Sequence, residues 1–292
     1  MEKDYVMFVD SDCDVDPEFC DSHGMRLISM PYIVDGKEVY PYVDFKTFDD
    51  QAFYDMLRKG VLPTTCGLSP ATYTSYFEPV LKEGKDILYV HFSAAMTGTF
   101  SAMKIAVDEL KKKYPSRRIE AIDTKGITIL PCAILIEMAK LYDEGKSIDD
   151  MKAWADQEVD HFAVYFFADD LKFFARSGRV SGMAGFMGNM IGLRPIIHIS
   201  QEGKMESCDK AIGRMAAINK ILDYVEKTED HIQDHVVVVG HTNAPMLASR
   251  LVAELHKRYG KELQIVTRSV NPTAGSHCGP NAAGVAFHAK SR

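Results

Sequence analysis

Short apolar runs alternate with helical patterns along nearly the whole chain. Residues 6–9, 87–92, 119–122, 162–167, 196–199, 236–239 and 263–266 have the length and apolar character of strands buried on both faces. Helix starts are marked between them. Thr47 with Asp50 and Ser147 with Asp150 have the spacing of capping boxes, and Ser69 is a cap followed by Pro70 at the first helical position. Strands alternating with helices predict right-handed crossovers and mostly parallel sheets. Two stretches break the rhythm: residues 26–40 alternate around Asp35-Gly36 and residues 196–209 turn at Glu202-Gly203, which predicts two hairpins. A boundary between Gln157 and His161 divides the chain into an N-terminal α/β domain, 1–158, and a C-terminal α/β domain, 159–292.

Length and composition change this picture only by exclusion. A chain of 292 residues, 46% hydrophobic and 26% charged, is ordinary for a soluble globular protein and long enough for two cores with a cavity. The net charge of -7 gives no general attraction to phosphate backbones or anionic lipid surfaces, so no nucleic-acid partner is expected. Six scattered cysteines without a CxxC pair fit a reducing compartment. The opening Met-Glu-Lys-Asp-Tyr runs directly into a strand, without the features of a signal peptide, and no apolar run nears the ~20 residues of a membrane span. The expectation is a cytoplasmic protein with no integral membrane segment.

Candidate chemistry lies in four polar loops, each placed where an open α/β sheet puts its ligands. They are Asp10-Ser11-Asp12-Cys13-Asp14, residues 63–70, residues 93–99 and residues 275–281. The middle two put hydroxyls and free N–H groups at helix starts, where the helix dipole favours an anion; ordinary capping explains them equally well. In the last loop, glycines flank His277, a possible hydrogen-bond donor or simply a solvated ring. Asp-x-Asp after a strand resembles haloacid-dehalogenase-type phosphatases, with Asp10 as nucleophile, Asp12 beside it and Asp169-Asp170 as magnesium ligands; the plainer reading is that Asp10, Asp12 and Asp14 hold a turn. An acyl hydrolase would use Ser93 as nucleophile and His277 as base. There is no GxGxxG, P-loop, Gly-x-Ser-x-Gly or His-Glu-x-x-His, and the ten histidines do not cluster at metal-ligand spacings.

Taken together and in order, the loops resemble the DegV family of fatty-acid-binding proteins. The residues that carry the resemblance are Asp10 to Asp14, the Val34-Asp35-Gly36-Lys37 turn, Thr64-Thr65-Cys66-Gly67-Leu68-Ser69, Ser93 to Thr99 and Ala121-Ile122-Asp123-Thr124. Arg176-Ser177-Gly178-Arg179-Val180-Ser181, Leu193-Arg194-Pro195-Ile196 and Gly275-Ser276-His277-Cys278-Gly279-Pro280 complete it. Ala94 stands where many relatives have a second serine, and Cys66 and Cys278 replace hydroxyl residues.

The resemblance implies a two-domain DegV-like α/β fold with mostly parallel sheets and a ligand tunnel between the domains. It implies a lipid-binding protein with no catalytic residue, no metal and no cofactor beyond a bound long-chain fatty acid such as palmitate. In some bacteria such proteins present the acid to a separate fatty acid kinase. The head group is carried over to Thr64, Thr65, Ser93, Ala94 and His277, with Arg179 and Arg176 near the mouth.

A tail of sixteen carbons would gain at most about 11 kcal/mol, at ~0.8 kcal/mol per buried methylene. The carboxylate needs donors to replace its lost water, so it sets orientation more than strength. In residues 183–192, methionines alternate with small residues, and Phe186, Met187 and Met190 are the expected tunnel lining, unless the segment is ordinary core. A sensor of small acidic metabolites would differ by lacking a long apolar tunnel. Cys66 and Cys278 would act as a redox gate only if their loops met at the head group.

Overall fold

The structure, a computed structural model, describes residues 3–181 and 192–292. The first half contributes β1 (Tyr5–Asp10), β2 (Arg26–Ile28), β3 (Tyr32–Val34), β4 (Lys37–Val39), β5 (Thr64–Thr65), β6 (Asp86–His91) and β7 (Ile119–Asp123). The second half adds β8 (Phe162–Phe167), β9 (Val180–Ser181), β10 (Leu193–Ile199), β11 (Met205–Ile212), β12 (Val237–His241), β13 (Ile265–Ser269) and β14 (Ala283–His288).

Three sheets result among the described residues. The order β2-β1-β6-β7 is parallel throughout, and every residue of β1 is buried, as a strand covered on both faces requires. A small sheet, β4-β3-β5, holds the Asp35-Gly36 hairpin, whose turn residues have φ of 50° and 75°. The third sheet runs β13-β12-β14-β8-β10-β11-β9. Its strands alternate between two cores. Phe162 and Val164 of β8 join a core shared with the first half, whereas Ala163, Tyr165 and Phe167 join a second core. The helices Arg214–Thr228 and Pro245–Tyr259 supply the other side of that second core.

On the shared face lies the helix Ile129–Asp143, which packs on β8, β12 and β14 although it belongs to the first half. Its first ten residues include seven consecutive buried positions, Ile129 to Leu135, the pattern of a helix covered all round. Gly240 in β12 makes the approach possible: a Cβ there would lie 2.5 Å from Ile129 Cγ2.

Several expectations need correction. Residues 26–40 are not one hairpin. Arg26–Ile28 follows the helix Pro17–His23 as a crossover strand and pairs parallel with β1, leaving only β3 and β4 antiparallel. The parallel arrangement holds for the first sheet. The third is mixed, with parallel pairing at β12–β13 and β9–β11 and antiparallel pairing at β12–β14, β14–β8, β8–β10 and β10–β11. Two of these antiparallel pairs come from β14, which inserts between β12 and β8, and a third is the hairpin at Glu202-Gly203. The helix expected to start at Thr47 is capped by Asp49, whose side chain accepts from Ala52 N. The Ser147–Asp150 capping box and the Ser69 cap before Pro70 form as expected. Among the described residues no helix is long and apolar enough to cross a membrane.

Candidate ligand-binding site

A cavity of about 810 Å³ is lined from both halves of the chain, a size within the usual range for small-molecule sites. Met30, Leu68, Phe92, Met96, Ile127 and Ile129 line it from the first half, and Val164, Phe166, Ile199 and Met205 from the second. The polar positions on its wall include Thr65, His277 and Arg179.

Thr65 and His277 are brought together from 212 residues apart: Thr65 Oγ1 lies 2.9 Å from His277 Nε2. Thr65 is fixed by β5, paired with Tyr32 in β3, and His277 by the last turn of the helix Pro272–Cys278. Arg176 clamps the two supports. Its guanidinium donates to Leu62 O at 2.8 Å, to Pro63 O at 2.6 Å and to Ser276 O at 3.4 Å. The sequence places Arg176 near the mouth; its donors hold the backbone that carries Thr65 and His277, and its charge reaches the His277 ring. Arg179 is exposed, lines the cavity and donates to Ser177 O. Burial, with Arg179 and Arg176 nearby, pushes the His277 imidazole down to about 4. The ring is therefore neutral at pH 7 in a field of two cations, a setting that favours an incoming anion.

The loop 93–99 divides in two. Thr97, Gly98 and Thr99 line the cavity at the start of the helix Thr99–Lys113, where the Thr97 hydroxyl accepts from Thr99 N at 3.2 Å. The dipole of that helix start favours an anion on this side of the cavity. Ser93 faces elsewhere. It is 1% exposed, its Oγ donates to Gly203 O at 2.7 Å and accepts from Ala95 N, and it is not part of the cavity wall. Ala94 N points to the Asp123 carboxylate, and Thr64, on the exposed side of β5, also lies off the wall. Phe186, Met187 and Met190 fall within residues 182–191, outside the described residues.

The aspartate loop is buried. Asp10 is completely covered, and its carboxylate accepts from Asp12 N at 3.0 Å, from Tyr89 Oη and Phe92 N at 3.1 Å each, and from the Cys13 thiol. Such a carboxylate holds a turn against β6 and has no face for a phosphoryl group. Asp14 Oδ1 accepts from Asn271 N and Nδ2, and Asp169 is bound by Arg194 and Arg214. Among the described residues no group of three or more His, Cys, Asp or Glu is placed to hold a metal ion. Ser93 and His277 do not pair, since one is engaged with Gly203 and the other with Thr65. Cys66 and Cys278 both border the cavity as free thiols, but burial pushes Cys66 up and Cys278 to about 12, which makes both poor thiolates. Sequence reasoning missed the wall residues Asp12 and Thr128 as cavity groups: their loops carried turn signals that do not tell which way a side chain faces.

The chain matches the family model described as uncharacterised protein, DegV family, over residues 5–290. A DegV domain-containing protein of Clostridium perfringens is 26% identical over 285 residues, covering 98% of this chain and 97% of the relative. One from Caldanaerobacter subterraneus is 28% identical, with 99% and 100% covered. Among solved structures, a fatty-acid-binding DegV family protein from Thermus thermophilus has a TM-score of 0.84 at 20% identity, covering 98% and 99%. A stearic-acid-binding protein from Eubacterium ventriosum has a TM-score of 0.84 at 16% identity, with 98% of each chain covered. The family match spans β1 to the end of the last strand, and the fold agrees over the same length: the chain belongs to the DegV family.

Proposed function

We propose that this chain binds a long-chain fatty acid, with the carboxylate at Thr65, His277 and Arg179 and the tail in the cavity between the two halves. The observation that carries this reading is the Thr65–His277 pair on the wall of a cavity that also offers apolar lining from Met30, Leu68, Phe92, Ile129, Val164 and Ile199. Burial of the tail supplies the affinity, at ~0.8 kcal/mol per methylene. Thr65, His277 and Arg179 replace the water that the carboxylate leaves behind. The fatty-acid ligands of the structural relatives support the same reading.

The test is a binding titration of the delipidated protein with palmitic acid and with hexadecanol, which has the tail but no charge. Palmitic acid should bind more tightly, and His277→Ala should weaken it by about tenfold or more, the loss of one hydrogen bond to a charged group. Equal affinity for acid and alcohol would contradict the head-group assignment.

A further step in the proposal is presentation of the bound acid to a separate fatty acid kinase, since Arg179 and the Thr65 side of the cavity reach the surface. Mixing the loaded protein with such a kinase and ATP should consume the acid as its acyl phosphate. A kinase that leaves the bound acid untouched contradicts this step.

A further inference from the structure

The wall of the cavity holds a second polar group that the head-group reading does not use. Asp12 lines the cavity and is 2% exposed, yet its Oδ1 has no hydrogen-bond partner among the described residues. A buried carboxyl oxygen left unpaired costs about 1–3 kcal/mol, so a persistent one invites an account. Its surroundings are built. Asp12 O accepts from Thr128 N at 2.8 Å, and Thr128 holds φ 61° and ψ -122°, a rare backbone state for a β-branched residue. Thr128 also lines the cavity, and its hydroxyl is not spent on capping the helix that follows. Thr273, on the same wall, has its hydroxyl 3.0 Å from Met30 O and also within hydrogen-bond reach of the Asp12 carboxyl, which leaves Oδ1 as the oxygen without a partner.

We propose that Asp12 and Thr128 form a second foothold for the ligand, which receives a hydroxyl or keto oxygen on the acyl chain. The reading rests on the fatty-acid function proposed above and names a subclass of ligand for the same cavity. Thr273 and His277 stand four residues apart on one helix, which separates the Asp12 region from the head group by about 6 Å along the helix axis. The oxygen function therefore belongs a few carbons from the carboxylate and not at the methyl end. Burial and the neighbouring Asp10 and Asp14 raise Asp12 well above the carboxylate range, and a neutral carboxyl both donates and accepts. It can satisfy a hydroxyl or a ketone without repelling the acid's own charge.

The experiment compares three sixteen-carbon acids on the delipidated full-length protein: palmitic acid, its 3-hydroxy derivative and its 16-hydroxy derivative. The 3-hydroxy acid should bind at least as tightly as palmitic acid, while the 16-hydroxy acid should bind about tenfold or more weakly, since its hydroxyl is buried without a partner. Asp12→Leu should remove the tolerance, so that the 3-hydroxy acid also falls about tenfold below palmitic acid. Equal penalties for the two hydroxy acids on the unaltered protein would overturn the inference, whether or not the variant folds. If palmitic acid binds under that result, the fatty-acid reading survives and only the second foothold is lost. If none of the three binds, both readings fall together.

Discussion

His277 sits below its ordinary range because the folded chain buries it beside two arginines. The unfolded chain takes up that proton from about 6.5 downward and the folded one only near 4, so this group's contribution to stability is complete above pH 6.5 and is lost as pH falls toward 4. His277→Gln should therefore flatten the loss of stability between those values, seen by denaturant titration at several pH values; an unchanged slope would contradict the buried neutral ring. Asp10 makes the opposite case for a carboxyl. Four donors converge on it, so Asp10→Asn turns an amide N–H₂ toward donors and should cost about 1–3 kcal/mol without affecting ligand capture. Ser93→Ala should likewise lower stability by about 1 kcal/mol while leaving palmitate affinity within about threefold, because its hydroxyl serves Gly203. A strong loss of affinity in Ser93→Ala, measured beside His277→Ala, would return Ser93 to the head-group site.

The turn between β10 and β11 ties that serine to the cavity wall. Gly203 has φ 77°, and a Cβ there would run into Ser93 Oγ and lie 3.2 Å from Lys125 Cα. Gly203→Ala should cost about 1–3 kcal/mol through left-handed backbone strain and crowding, read as a lower denaturation midpoint. This hairpin was legible in advance because Glu202-Gly203 interrupts two runs of strand character. β1 and β6 were equally legible, since each is a short apolar block, whereas β7 buries only Ile119 and Ile122 and leaves Ala121 exposed. β14 was not: Ala283-Gly284-Val285-Ala286 has only one β-branched residue among small ones, and its fit depends on Phe166 and Tyr165 of β8 packing over Gly284. The site divides along the same line. Thr65 and His277 stood out as loop residues with functional chemistry, whereas the diversion of Ser93 and the clamp role of Arg176 depend on contacts with segments more than 100 residues away, and the outward turn of Thr64 on the pairing of β5 with β3.

At the scale of the molecule, we propose that 1–158 and 159–292 are two lobes that share the helix Ile129–Asp143. That helix comes from the first lobe but covers β8, β12 and β14 of the second. Expressed alone, 159–292 should expose Phe162, Val164, Val238 and Ala286 and fail to unfold cooperatively, whereas a fragment beginning near 128 should regain a melting transition. A cooperative 159–292 would contradict the shared helix. The central claim is that the cavity between the lobes exists to hold an acyl chain, and the most direct test is the mass of whatever copurifies with the protein. Native mass spectrometry, followed by solvent extraction of the same sample, should find a single fatty acid of about fourteen to eighteen carbons per chain, displaced by added palmitic acid. A chain that carries no acyl compound and does not change mass when palmitic acid is supplied would contradict the account.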